Sequence, residues 1–172
     1  ATAQSLINVT ADAQRTMSTY LGACVELTSA DVDPEIIEAA QISYLEGYLF
    51  DPPEARRAFA KAAALAHGAG RKIAMTLSDS FVVDRHRSAL LGFVETQCDI
   101  VFANASEVCA LFETTDFEEA VKALADRCEI AAVTRSEKGS VVVANAPSPE
   151  NQAYTGEKLV TTTGPGDHSA AG

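Results

Sequence analysis

The chain has no apolar run long enough to cross a bilayer, and no charged-then-apolar leader opens it. A membrane span is therefore not expected, and the cytoplasm is the default expectation for its location. Positive charge is scarce, with 13 Lys and Arg against 24 Asp and Glu and a formal net charge of −11. Such a surface repels phosphate backbones and anionic lipid, which argues against a nucleic-acid or membrane partner. It leaves room for a local anion-binding pocket, which helix N-termini can supply. The four cysteines, Cys24, Cys98, Cys109 and Cys128, form no C-x-x-C pair and have no histidine at metal-binding spacing. Buried free thiols in a reducing compartment are expected. No glycine fingerprint follows the first strand, which argues against a dinucleotide-dependent oxidoreductase. Internal repeats, low-complexity tracts and interdomain linkers are also lacking, so the 172 residues are read as a single domain, residues 1–172.

What is present is an alternation. Short β-branched runs at Ser5–Val9, Ile42–Leu45, Lys72–Leu77, Asp99–Ala103, Ile130–Thr134 and Ser140–Ala144 read as strands. Between them lie Ala-rich stretches of helical period, with one stripe at Ala55, Phe59, Ala62 and Ala66 and another at Phe117, Ala120, Val121 and Leu124. Pro34 stands where a proline suits a first helical turn. Strands separated by single helices imply right-handed crossovers, a mainly parallel sheet flanked by helices, and an α/β fold. The polar stretch at residues 145–152 predicts a turn, giving a C-terminal hairpin of Ser140–Ala144 with Gln152–Gly156.

Ligands of such sheets bind beyond the carboxyl ends of the strands, so residues just after each run are the candidates. Glu46 ends one strand and can face a polar substrate or lie in solvent. Asn104 and Glu107 follow another at the spacing of a capping box. Thr134 to Gly139 follow a third and read equally as a hairpin turn or a nucleotide contact. Arg15 and the set Asp79, Asp84, Arg85, His86 and Arg87 can bind phosphate or substrate, or form a surface ion-pair face. Near the end, Gly164, Pro165 and Gly166 precede Asp167 at the entry to a helix. Glycines there allow close backbone approach, free N–H groups favour negative charge, and the aspartate can cap the helix or accept a proton. No Gly-Lys-Ser/Thr follows, so this is not a P-loop.

Taken in order, these motifs resemble the ribokinase-like (PfkB-type) carbohydrate and nucleoside kinases. Thr162-Thr163-Gly164-Pro165-Gly166-Asp167 is similar to that family's D-T-x-G-A-G-D signature, Asn104-Ala105-Ser106-Glu107 to its N-x-x-E motif, and Thr134–Gly139 to its T-x-G-x-x-G turn. Stretches such as Arg15–Ala23 and Tyr44–Leu49 look like the adenosine-kinase-like branch. The resemblance implies a three-layer ribokinase-like fold, of which this chain is about half. The N-terminal substrate and lid region and the C-terminal nucleotide-pocket helices would be missing.

The resemblance also implies ATP as phosphoryl donor, Mg2+ as its metal and a sugar or purine nucleoside as acceptor, with a homodimer open to the full-length form. Asp167 would be the catalytic base, Gly164, Pro165 and Gly166 the anion hole, and Thr134 and Gly139 nucleotide contacts. Asn104 and Glu107 would act through metal and phosphate, and Glu46 and Arg15 on substrate. Thr161, Pro165, Ser136 and His168 depart from the family pattern. Pro165 removes one backbone donor from the cradle. A non-catalytic nucleotide- or ligand-binding α/β module with a degraded anion hole is the competing expectation.

Overall fold

In the computed structural model, residues 1–12 and 14–144 are described. Two sheets form. Strands β1 (Gln4–Val9) and β2 (Arg15–Tyr20) pair antiparallel with Val9 opposite Arg15. Every residue of both strands is exposed. Strand β2 is one that the reading of the sequence does not place. Its sequence, Arg-Thr-Met-Ser-Thr-Tyr, has neither a β-branched run nor a clear apolar alternation.

The second sheet has five strands in the order β3 (Ile42–Glu46), β4 (Lys72–Thr76), β5 (Ile100–Asn104), β6 (Ile130–Thr134) and β7 (Ser140–Ala144). The first four are parallel, and β7 returns antiparallel against β6. The strands expected from β-branched runs lie within a residue or two of those observed. The partner expected for β7, Gln152–Gly156, lies outside the described residues.

Chain order equals sheet order here, so right-handed crossovers place the connecting helices on one face. These are α2 (Pro53–Gly68), α3 (Ser80–Gln97), α4 (Ala105–Phe112) and α5 (Phe117–Ala125), with α1 (Pro34–Ala39) preceding β3. Pro34 sits in the first turn of α1, whose N-cap is Asp33. The stripe Ala55, Phe59, Ala62 and Ala66 is buried as expected, as are Ala120, Val121 and Leu124 of α5. These helices cover Leu45, Ile73, Met75, Val101, Ala103, Ala131 and Val133, which alternate along β3 to β6 and form the core with them. Cys98 and Cys128 belong to that core and Cys109 is half-buried, but Cys24, in the short 3-10 helix Gly22–Glu26 after β2, is exposed where burial was expected.

The opposite face carries Ile42 and Tyr44, both exposed, and the half-buried Ile100, Phe102, Ile130 and Ala132. The rings of Tyr44 and Phe102 lie 6.1 Å apart across it. Among the described residues the architecture therefore comprises a sheet and one helical layer, two of the three layers expected.

Candidate active site at the carboxyl edge of the sheet

Register decides which side chains share the rim. Glu46 pairs with Thr76, Thr76 with Phe102, and Asn104 with Thr134. Glu46, Asn104 and Thr134 thus end three parallel strands on the open face. Of the site residues that the family resemblance implies, Glu46, Asn104, Glu107 and Thr134 converge there, and Arg15 and Gly139 do not. Arg15 is exposed in the separate β1–β2 sheet, and Gly139 stands beyond the turn that follows Thr134.

Asn104 and Glu107 form a complete capping box at the start of α4. Glu107 N–H donates to Asn104 Oδ1 (2.9 Å), Asn104 N–H to Glu107 Oε2 (2.9 Å), and Asn104 Nδ2 to Glu107 Oε1 (2.7 Å). Ser106 Oγ adds a bond to Asn104 Oδ1 at 2.6 Å. Only 5% of Glu107 is accessible, yet it is a carboxyl group. Burial pushes its pKa up to about 7; the Asn104 N–H pulls it back, and the charges of Asp79 and Glu46 push it further up.

Those two neighbours bring in Tyr48 and Ser78, which sequence reasoning missed, whereas Asp79 was selected there only as part of the arginine and aspartate set. Asp79 caps α3, accepting from Phe81 N–H at 2.7 Å, and takes the Tyr48 hydroxyl at 3.4 Å. Burial raises the Tyr48 pKa, with help from the Asp79 and Glu46 charges. Ser78 Oγ donates to Glu46 Oε1. The only signal of Ser78 and Tyr48 in the sequence is position: Ser78 directly follows the β4 run, and Tyr48 stands just after the end of β3.

The rest of the arginine and aspartate cluster behaves as an ion-pair face. Arg85 reaches Asp51 at 3.1 and 2.7 Å, His86 reaches the same carboxylate at 2.8 Å, and Arg87 joins Asp84 (2.9 Å) and Glu113 (2.7 Å). His86 also interrupts α3, with φ −123° and ψ 18°. His67 meets Asp99 at 3.2 Å.

The turn after Thr134 is the hairpin expected from Gly139. Arg135 N–H donates to Gly139 O at 2.7 Å, and Gly139 adopts φ 84°, ψ −149°, a region essentially reserved for glycine. Ser136, where the resembling motif carries its first glycine, has φ 54°. Gly164, Pro165, Gly166 and Asp167, with Thr161 and His168, lie outside the described residues.

Among the described residues no group of three or more His, Cys, Asp or Glu side chains is arranged to hold a metal ion, and no helix is long and apolar enough to cross a membrane. Every carboxylate oxygen of Glu107 already accepts a bond from Asn104. Mg2+ keeps several waters and takes one or two carboxylates plus substrate phosphates. The pair therefore fits a role through metal-bound water rather than as a caged ligand set.

A mainly parallel α/β sheet with polar groups gathered at its carboxyl rim, and an N-capped helix opening there, has the arrangement at which open α/β sheets bind ligands. Comparison with known proteins narrows the class. The pfkB family carbohydrate kinase model matches residues 1–172, and the chain belongs to that family of phosphotransferases. Adenosine kinase from Sinorhizobium meliloti is 51% identical with a TM-score of 0.91, over 99% of this chain and 53% of that one. A probable sugar kinase from Rhizobium etli CFN 42 is 47% identical with a TM-score of 0.88, over 96% and 50%. Adenosine kinase from Anopheles gambiae, solved in complex with P1,P4-di(adenosine-5) tetraphosphate, is 25% identical with a TM-score of 0.76, over 96% and 53%. The fold is thus ribokinase-like, and the chain spans about half the length of these relatives. No curated protein gives a significant match.

Proposed function

We propose that the protein carrying this sequence transfers the γ-phosphoryl group of ATP to a hydroxyl of a purine nucleoside or a sugar. The observation that carries the reading is the gathering of Glu46, Asn104, Glu107 and Thr134 at one carboxyl rim in a chain of this family. Adenosine and sugar kinases among the similar structures support the acceptor class, and the adenosine kinase bound to a diadenosine tetraphosphate supports an adenine nucleotide as donor.

In this reading Glu46 accepts hydrogen bonds from acceptor hydroxyls at the end of β3. Thr134 contacts the nucleotide at the end of β6, with Gly139 holding the turn behind it. Asn104 and Glu107 orient water about the phosphates, and Mg2+, when bound, neutralises charge on the phosphate oxygens. Backbone N–H groups of Gly164, Gly166 and Asp167 hold the moving phosphoryl group, Pro165 contributing none. Asp167 takes the proton of the attacking hydroxyl. Arg15, exposed in the β1–β2 sheet, contacts substrate.

The test is ATP consumption by a full-length protein carrying this sequence, across nucleosides and sugars with Mg2+. Turnover on one of them is expected, and Asp167→Asn should abolish transfer while leaving binding largely intact. Unchanged turnover in that variant would remove Asp167 as the base. The reading as a binding module draws on Pro165. Silence across the panel in both the parent and Pro165→Ala, with ATP still bound by calorimetry, would establish it instead.

A further inference from the structure

Strand β4 does not run directly into α3. Leu77 N–H reaches across to Phe102 O at 3.0 Å, and Asp79 N–H closes on Leu77 O at 2.8 Å. Between them Ser78 has φ +69°. A three-residue turn with a positive φ at its centre is the rare and strained kind of γ-turn. A serine there carries a steric cost from its Cβ that glycine would not incur. Strained positions of this sort persist where the surroundings enforce them, and they cluster at functional sites.

The surroundings here are specific. A Cβ placed on Gly47 would meet Thr76 O at 2.6 Å and Leu77 O at 2.7 Å, so the end of β3 and the turn after β4 are in backbone contact. That contact fixes the Ser78 backbone relative to Glu46. The side chain that the strained turn presents is then used, because Ser78 Oγ donates to Glu46 Oε1 and also lies 3.3 Å from Thr76 O. Glycine would suit the backbone better, but it has no hydroxyl to offer the carboxylate.

We propose that Ser78 is a positioning residue, presented by its strained turn to hold the Glu46 carboxylate in the one orientation that meets the hydroxyls of the acceptor. The inference rests on the proposed function, since Glu46 is an acceptor contact only in that reading. A carboxylate free to rotate pays orientational entropy when substrate arrives, and one already tethered does not.

The test uses Ser78→Gly and Ser78→Ala in the full-length protein, with the acceptor varied at saturating ATP. Both variants lose the hydroxyl, but only glycine relieves the turn. The acceptor KM should rise about tenfold in both, within the range for a lost bond to a charged group, with a smaller change in kcat and an unchanged KM for ATP. Melting temperatures should diverge, the glycine variant standing above the alanine variant. An acceptor KM that follows stability, raised in Ser78→Ala and normal in Ser78→Gly, would reduce Ser78 to a structural part and overturn the inference. Glu46→Gln is the control in the same assay. If it leaves the acceptor KM unchanged, the assignment of Glu46 fails and this inference with it. If it raises the KM and neither Ser78 variant does, the inference alone fails. No turnover by the unmodified protein removes both.

Discussion

Glu107 shows what a single residue contributes when burial and hydrogen bonding oppose each other. Its pKa stands near 7 in the folded chain against an ordinary 4.5, chiefly because it is buried. Between those values the folded state binds more protons than the unfolded one, so stability falls as pH rises through this window. The penalty is absent below about pH 4.5, is complete above about pH 7, and amounts to at most ~3 kcal/mol. In Glu107→Gln the slope of unfolding free energy with pH should flatten between pH 5 and 8, measured by urea denaturation of the full-length protein. A slope equal to that of the parent would show that Glu107 titrates normally. Its partner supports a second prediction. Asn104→Ala removes both the cap and the amide that faces the buried carboxyl, costing about 1–2 kcal/mol or more. Asn104→Ser keeps a capping oxygen and should recover most of that stability. If Asn104→Ser also recovers transfer, the cap is the whole role of Asn104. Lost transfer at recovered stability favours the metal- and phosphate-linked role.

At the level of elements, helix α4 ends on Glu113 in the left-handed conformation, φ 54° and ψ 37°, a position that glycine usually fills. Glu113→Gly should stabilise the fold by about 0.5–1 kcal/mol, less a few tenths for the exposed ion pair with Arg87. A lower melting temperature would mean that the ion pair outweighs the strain. The same element shows how far the sequence could be read. Strands β3 to β7 were legible because β-branched runs between Ala-rich stripes suit both faces of a parallel sheet, and the Asn104–Glu107 box because its spacing is local. Strand β2 was not legible, since Arg15–Tyr20 carries no β-branched run of the kind that marks the other strands. The turn at Ser78 and the break at His86 left no mark either, because non-glycine residues adopt these backbone states without a compositional signature. Glu46 and Glu107 were each picked out alone. Their approach to Asp79 and Tyr48 depends on the register of three strands, which spacing along the chain does not encode.

For the molecule as a whole, the exposed apolar surface is extensive. Leu6, at 75% exposure, stands with Ile7, Val9, Met17 and Tyr20 on the β1–β2 sheet, and Ile42 and Tyr44 lie on the open face of the larger one. Patches of this kind mark interaction sites or aggregation hazards. The 172-residue chain expressed alone should therefore bind an apolar dye and self-associate, followed by fluorescence and light scattering. A monodisperse monomer that unfolds cooperatively would contradict this. Another consequence lies in the order of the strands. Because β3 to β7 neighbour one another in the sheet as they do in the chain, each new strand needs only the one just before it as a template. Loop closure stays short at every step, which favours rapid, stepwise formation. On the ribosome such a sheet can grow from its first edge as residues emerge, each helix docking before the next strand is made. The carboxyl rim would then be completed one strand at a time, Glu46 first and Thr134 last.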